Sequence, residues 1–169
     1  MKIDRRWFLA VALGTVAVSL ATPDRLHAQQ SAGKSKAKTM WAYVGTYSRG
    51  ESKGIYLYHL DMKSGRFTPA GLAAESANPS FVAIHPNGRL LYAVNETGDF
   101  GGEKSGAVSA FSVDQQTGKL TLLNQQPSQG AAPCHLVVDE TGKHVLAANY
   151  TGGSVISLPI QEDGKLGKA

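Results

Sequence analysis

Cysteine is nearly absent from this 169-residue chain: Cys134 stands alone, which excludes an intrachain disulfide and any zinc or iron–sulfur site built on several cysteines. Long apolar runs are missing too. The longest, Leu9 to Ala21, has thirteen residues, short of the roughly 20 that a bilayer-crossing helix needs. A basic body is also lacking. The formal net charge is +4, yet residues 1–40 carry seven bases against two acids, whereas residues 41–169 carry ten against eleven. The positive balance therefore belongs to the leading segment, and no basic stripe remains in the body to support nucleic-acid binding. Helical periodicity does not persist through three turns anywhere in the body. With 42% hydrophobic and 8% aromatic residues, the body is nonetheless too apolar for simple disorder.

The first 28 residues read as an export signal. A basic start ending in Asp4-Arg5-Arg6-Trp7-Phe8-Leu9 leads into the apolar run and then a polar stretch reaching Leu26-His27-Ala28, with a small residue at the expected cut near Ala28. The Arg-Arg-x-Phe-Leu core resembles a twin-arginine signal, with Asp4 and Ala10 off the usual pattern. Arg5 and Arg6 would engage the twin-arginine export machinery; the alternative is a general secretory signal in which they are merely positive charge. Either route predicts a periplasmic or secreted protein without a stable membrane anchor, and folding before export suits a domain that lacks disulfides. Residues 29–40 contain too few apolar side chains to pack and are expected to form a flexible linker.

From Met40 onward, short β-branched or alternating runs are separated by Gly, Pro, Asn and Asp, the pattern of strands and turns. The predicted strands are Trp41 to Tyr47, Gly54 to Leu60, Phe67 to Glu75, Ser80 to His85, Leu90 to Glu96, Ala107 to Val113, Leu120 to Gln126, His135 to Val138, His144 to Tyr150 and Val155 to Ile160. They repeat. Pro79 to Glu96 lies over Pro133 to Tyr150 without a gap, and Asp61 to Phe67, Asp114 to Leu120 and Gln161 to Leu166 are three copies of a hairpin turn with glycine where φ must be positive. Each unit is thus a four-stranded antiparallel meander of about 50 residues, the sequence signature of an all-β propeller blade. Residues 41–169 supply about two and a half blades where a closed ring takes 4 to 8, so the expectation is the N-terminal part of a longer propeller, or closure by oligomerisation.

Tyr43-Val44-Gly45-Thr46-Tyr47, Gly54-Ile55-Tyr56, Asn78-Pro79-Ser80-Phe81, Leu91-Tyr92-Ala93-Val94-Asn95-Glu96, Pro133-Cys134-His135, Ala148-Asn149-Tyr150 and Gly153-Ser154-Val155 together resemble the seven-bladed β-propeller lactonase family. That family includes the propeller type of 6-phosphogluconolactonase and carboxymuconate cyclases. The resemblance spans residues 41–169, about the first third of the family's length. It implies an enzyme that hydrolyses a sugar lactone to the open acid, or closes a muconate, without an organic cofactor.

Candidate site residues follow from the meander itself, since the start of its first strand and the end of its second share one end, and the innermost strand borders the channel. Ser80 should meet Asn95 and Glu96, and His135 should meet Asn149 and Tyr150, at one channel mouth, with Tyr47 as the first unit's equivalent of Glu96 and Tyr150. A carboxylate and a histidine there, Glu96 and His135, suit activation of water for attack on a lactone carbonyl, with Asn95, Asn149, Tyr47 and Tyr150 as substrate-binding groups. The resemblance implies that His135 matches the family's active-centre histidine. The attack also needs a cation or N–H donors at the oxyanion, and Arg49, Arg66 and Arg89 all fall in or beside turns. Structural alternatives stand beside each assignment: His135 as a hydrogen-bonded strand residue, Glu96 as a loop acid, both asparagines as turn caps, His85 and His144 as surface residues, Cys134 as packing. The insert Glu96 to Gly106, with Asp99 and Glu103, is either a substrate-covering loop or a weak cation site, and no metal site is assigned. A non-catalytic exported propeller that binds a protein or polysaccharide is the competing function.

Overall fold

A computed structural model describes residues 39–169 and the backbone of Leu9–Ala12. The rest of the expected signal and linker lies outside the described residues. The strands are β1 (Leu9–Ala12), β2 (Thr39–Gly45), β3 (Gly54–Asp61), β4 (Phe67–Glu75), β5 (Val82–Ile84), β6 (Leu90–Asn95), β7 (Ala107–Val113), β8 (Leu120–Pro127), β9 (Pro133–Val138), β10 (His144–Asn149) and β11 (Ser154–Pro159). All ten strands expected after Met40 are present, with ends displaced by at most two residues.

Three sheets form in chain order: β1-β2-β3-β4, β5-β6-β7-β8 and β9-β10-β11. Within each, consecutive strands from β2 onward pair antiparallel, as blades of a propeller do. The first sheet holds the one surprise. In the second and third sheets the innermost position belongs to β5 and β9, but among the described residues no antiparallel strand takes that place beside β2, and Leu9–Ala12 occupies the edge in parallel register, Leu9 opposite Ala42 and Ala12 opposite Gly45. An unpaired edge is a row of unsatisfied N–H and C=O groups, and an apolar segment of the same chain satisfies it.

The middle sheet is buried on both faces, and β6 shows why its sequence is apolar without alternation. Leu91 and Ala93 face the first sheet, packing with Tyr43, Ile55, Leu57, Phe111, Val113 and Leu120. Tyr92 and Val94 face the third, packing with Val108, Leu136, Val145, Leu158 and Leu166. Among the described residues the third sheet is covered on one side only. Val137, Leu146 and Val155 lie exposed on its other face.

Two repeated devices join the sheets. At the hairpins after β3 and β7, the carboxylates of Asp61 and Asp114 accept two backbone N–H groups each, which depresses their pKa, and the turn closes at Gly65 (φ 71°) and Gly118 (φ 73°). A tyrosine hydroxyl then reaches the next sheet's hairpin: Tyr43 donates to the Gly118 carbonyl at 2.8 Å, and Tyr92 to the Gly164 carbonyl at 3.0 Å. Burial pushes both phenols' pKa well up. The equivalent residue in the third unit is Leu146, which is exposed. At the same end, where Gln115 of the hairpin after β7 donates to the Gly88 carbonyl, His85 Nε2 contacts the Gly142 carbonyl at 2.9 Å and its Nδ1 takes the Asn87 N–H. His85 therefore ties two turns together and is half-buried, correcting its reading as a surface residue.

Candidate functional site

The loop after β2 and the ends of β5 and β6 converge on one carboxylate. Glu96 Oε2 accepts the Tyr47 hydroxyl at 2.9 Å and the Ser80 hydroxyl at 2.5 Å. The other oxygen, Oε1, takes no hydrogen bond among the described residues. Tyr47 comes from the first unit and Ser80 and Glu96 from the second, so the carboxylate is held across the seam between two sheets. Its hydrogen bond to Glu96, and then partial burial, raise the Tyr47 pKa above the ordinary phenol value. This is the expected sign for a neutral donor serving an anion.

Arg49 also belongs to this cluster. Its guanidinium carbon sits 5.5 Å from the Tyr47 ring centroid, within cation–π range, and its backbone N–H bonds the Tyr47 carbonyl. Arg49 was expected in or beside a turn; its side chain lies over the ring of Tyr47, the residue that donates to Glu96.

His135 lies at the start of β9, opposite Ala148, with its ring against Phe81 at a 4.3 Å centroid separation. Phe81 follows Ser80 directly in the chain, so the histidine of the third unit approaches the innermost strand of the second. His135 is exposed. Tyr150 is 81% exposed, and its backbone N–H bonds the Ala132 carbonyl.

Asn95 and Asn149 do not reach the surface of the mouth. They are 2% and 3% exposed. Asn95 donates to Ser76 Oγ and the Ala77 carbonyl and accepts from Ser109 and Gln125, so it knits β6, β7 and β8 to the preceding loop. Asn149 donates to the Ser128 carbonyl and Ser154 Oγ, while its Oδ1 is buried with no partner among the described residues. Gln125, which serves Asn95, comes from the fourth strand of its sheet, and the third sheet has three. Both ends of the Asn95 amide and the Asn149 Nδ2 are thus engaged inside the fold, and Asn149 Oδ1 is the one amide atom of the two left without a partner among the described residues.

The insert after Glu96 is pinned down. Thr97 accepts the Ala132 N–H, Gly106 exchanges hydrogen bonds with Ser128 and Gly130, and Phe100 and Glu103 bridge to each other. Among the described residues no group of three or more His, Cys, Asp or Glu side chains is placed to hold a metal ion. Cys134 directs its thiol to the Ala148 carbonyl.

Two backbone positions flank this region in a conformation that side chains rarely adopt. Asn78, before Pro79, has φ 42°, and Ala132, at the matching position before Pro133, has φ 55°. The sequence reading quoted Asn78 only as part of a motif and missed its role. An asparagine is the non-glycine residue best suited to such a bend, which is the signal that was available.

Comparison with known proteins bears on this arrangement. The family profile described as lactonase, 7-bladed beta-propeller, matches residues 41–169. A 6-phosphogluconolactonase of Bacillus subtilis is 42% identical over 124 residues, covering 73% of this chain and 34% of that protein. A solved structure from Bacteroides fragilis, described as a candidate 6-phosphogluconolactonase, superposes with a TM-score of 0.69 at 39% identity, over 82% of this chain and 36% of that one. The periplasmic gluconolactonase of Pseudomonas aeruginosa superposes with a TM-score of 0.66 at 32% identity, over 75% and 36%. The chain thus spans about a third of the length of these relatives.

Proposed function

Since residues 41–169 belong to the seven-bladed β-propeller lactonase family, we propose that the protein hydrolyses a sugar lactone, of the 6-phosphogluconolactone kind, at the mouth where Glu96 is held. The observation that carries the reading is the Glu96 carboxylate itself, with Oε2 fixed by Tyr47 and Ser80 and Oε1 without a hydrogen bond among the described residues. A carboxylate so held is oriented to take a proton from water. Water oxygen then adds to the lactone carbonyl carbon, the ring C–O bond breaks, and the departing alkoxide receives the proton, giving the hydroxy acid.

His135 is assigned to assist that proton transfer, with Tyr47 and Tyr150 lining the mouth. Arg49 supplies positive charge for the substrate's anionic group or for the developing oxyanion. The export leader with Arg5 and Arg6 supports a periplasmic or secreted location, as does the description of the Pseudomonas aeruginosa relative as periplasmic.

The test is hydrolysis of a δ-lactone substrate by the complete product of the reading frame, alongside Glu96→Gln and His135→Ala. Loss of at least about a hundredfold in kcat/KM for Glu96→Gln is expected of a general base. Unchanged activity in that variant overturns the reading. Cell fractionation of a variant with Arg5→Lys and Arg6→Lys tests export, which should fail if the twin-arginine route is used.

A further inference from the structure

We propose that Asn78 is a positioning residue that sets the orientation of the Glu96 carboxylate; this rests on the reading of Glu96 as the base. The bend at Asn78 does not need an asparagine, because Ala132 makes the same bend before Pro133. The backbone part of the arrangement is common to both units: the Asn78 carbonyl accepts the Glu96 N–H at 3.0 Å, as the Ala132 carbonyl accepts the Tyr150 N–H at 2.8 Å. What Asn78 adds is its amide.

Asn78 Nδ2 donates to the Glu96 carbonyl at 3.2 Å, and Oδ1 accepts the Ser48 N–H at 2.9 Å. The Asn78 N–H donates to Ser48 Oγ, whose hydroxyl donates to the Ser76 carbonyl. Ser48 follows Tyr47, and Tyr47 donates to Glu96 Oε2. The result is a closed circuit that runs from Glu96 through Asn78, Ser48 and Tyr47 back to the same carboxylate. One end of the circuit fixes the Glu96 backbone and the other fixes its side chain, and it crosses between the first and second sheets beside the Asn95 bonds to Ser76 and Ala77. Ser80, two residues on, donates its N–H to the same Asn78 carbonyl, so both hydroxyls that grip the carboxylate depend on this residue's placement. Holding a base in its reactive orientation contributes to the rate of the chemical step far more than to binding.

The decisive comparison is Asn78→Gly with Ala132→Gly in the complete product of the reading frame. Both relieve a left-handed backbone, and only the first deletes the amide. Asn78→Gly should lower kcat by between about tenfold and a hundredfold with KM within about twofold, while Ala132→Gly keeps the parent kcat. Hydrogen exchange supplies a readout independent of turnover: the Ser48 amide should exchange at least about tenfold faster in Asn78→Gly. If Glu96→Gln is inactive while Asn78→Gly keeps the parent kcat, positioning by Asn78 is overturned and the functional reading stands. If Glu96→Gln is fully active, the functional reading falls, and the catalytic role of Asn78 with it. An unchanged Ser48 exchange rate overturns the circuit itself.

Discussion

The hairpin glycines offer a measurement of how strongly neighbouring sheets grip one another. Gly65 and Gly118 occupy the same position in successive units with φ of 71° and 73°, so an alanine meets the same backbone strain at both. For an L-residue in the left-handed region that strain is about 1–2 kcal/mol. The surroundings differ. A Cβ at Gly65 meets nothing within 4 Å, whereas one at Gly118 lies 2.7 Å from Leu57 Cδ2 and 3.2 Å from Trp41 Cδ2, both in the preceding sheet. Overpacking of that kind costs about 1–3 kcal/mol. Gly65→Ala should therefore lose about 1–2 kcal/mol and Gly118→Ala about 2–5 kcal/mol in urea unfolding, read from the midpoint at constant slope. Equal losses, within about 0.5 kcal/mol, would refute the claim that the hairpin of one sheet is wedged against the next.

Three further outcomes follow from the geometry. Tyr92→Phe removes a buried donor from the Gly164 carbonyl and should cost about 1–3 kcal/mol of stability, measured by the same unfolding assay. The Asp139 pKa is depressed to about 2, first by the Thr141 hydroxyl and then by the His144 N–H. A depressed folded value means that its contribution is present above the ordinary carboxylate pKa of about 4 and disappears as pH falls toward 2; Asp139→Asn should flatten that part of the stability profile. The Tyr47 pKa is raised, so the neutral phenol's contribution is full below about pH 10 and is lost as pH climbs through the raised value. Replacing it by phenylalanine should abolish any alkaline loss of activity that stems from phenolate formation beside Glu96.

The blades were legible because two simple periods coincide: alternation within strands, and a repeat of glycine turns between them. Tyr47, Ser80 and Glu96 were legible together because the antiparallel meander forces the start of one strand beside the end of the next. Arg49, Asn78 and the bond from His85 to Gly142 were not, since each acts between loops of different units, and such contacts leave no spacing in the sequence. The internal hydrogen bonds of Asn95 and Asn149 were hidden for a related reason. Their place at the strand end was visible, but the carbonyls of Ala77 and Ser128 that absorb their amides come from loops whose path only the folded chain reveals. The pairing of Leu9–Ala12 with β2 was equally invisible, because the segment's composition fits an export signal and its role here depends on an edge left open elsewhere.

The middle sheet is covered on both faces, so each side of β6 packs against a different neighbour. A single substitution in β6 should therefore loosen both neighbouring sheets at once, seen as faster hydrogen exchange in β3 and in β10 together. Any selection acting on the seam around Glu96 is thereby coupled to the seam beneath His135, since one strand is the wall of both.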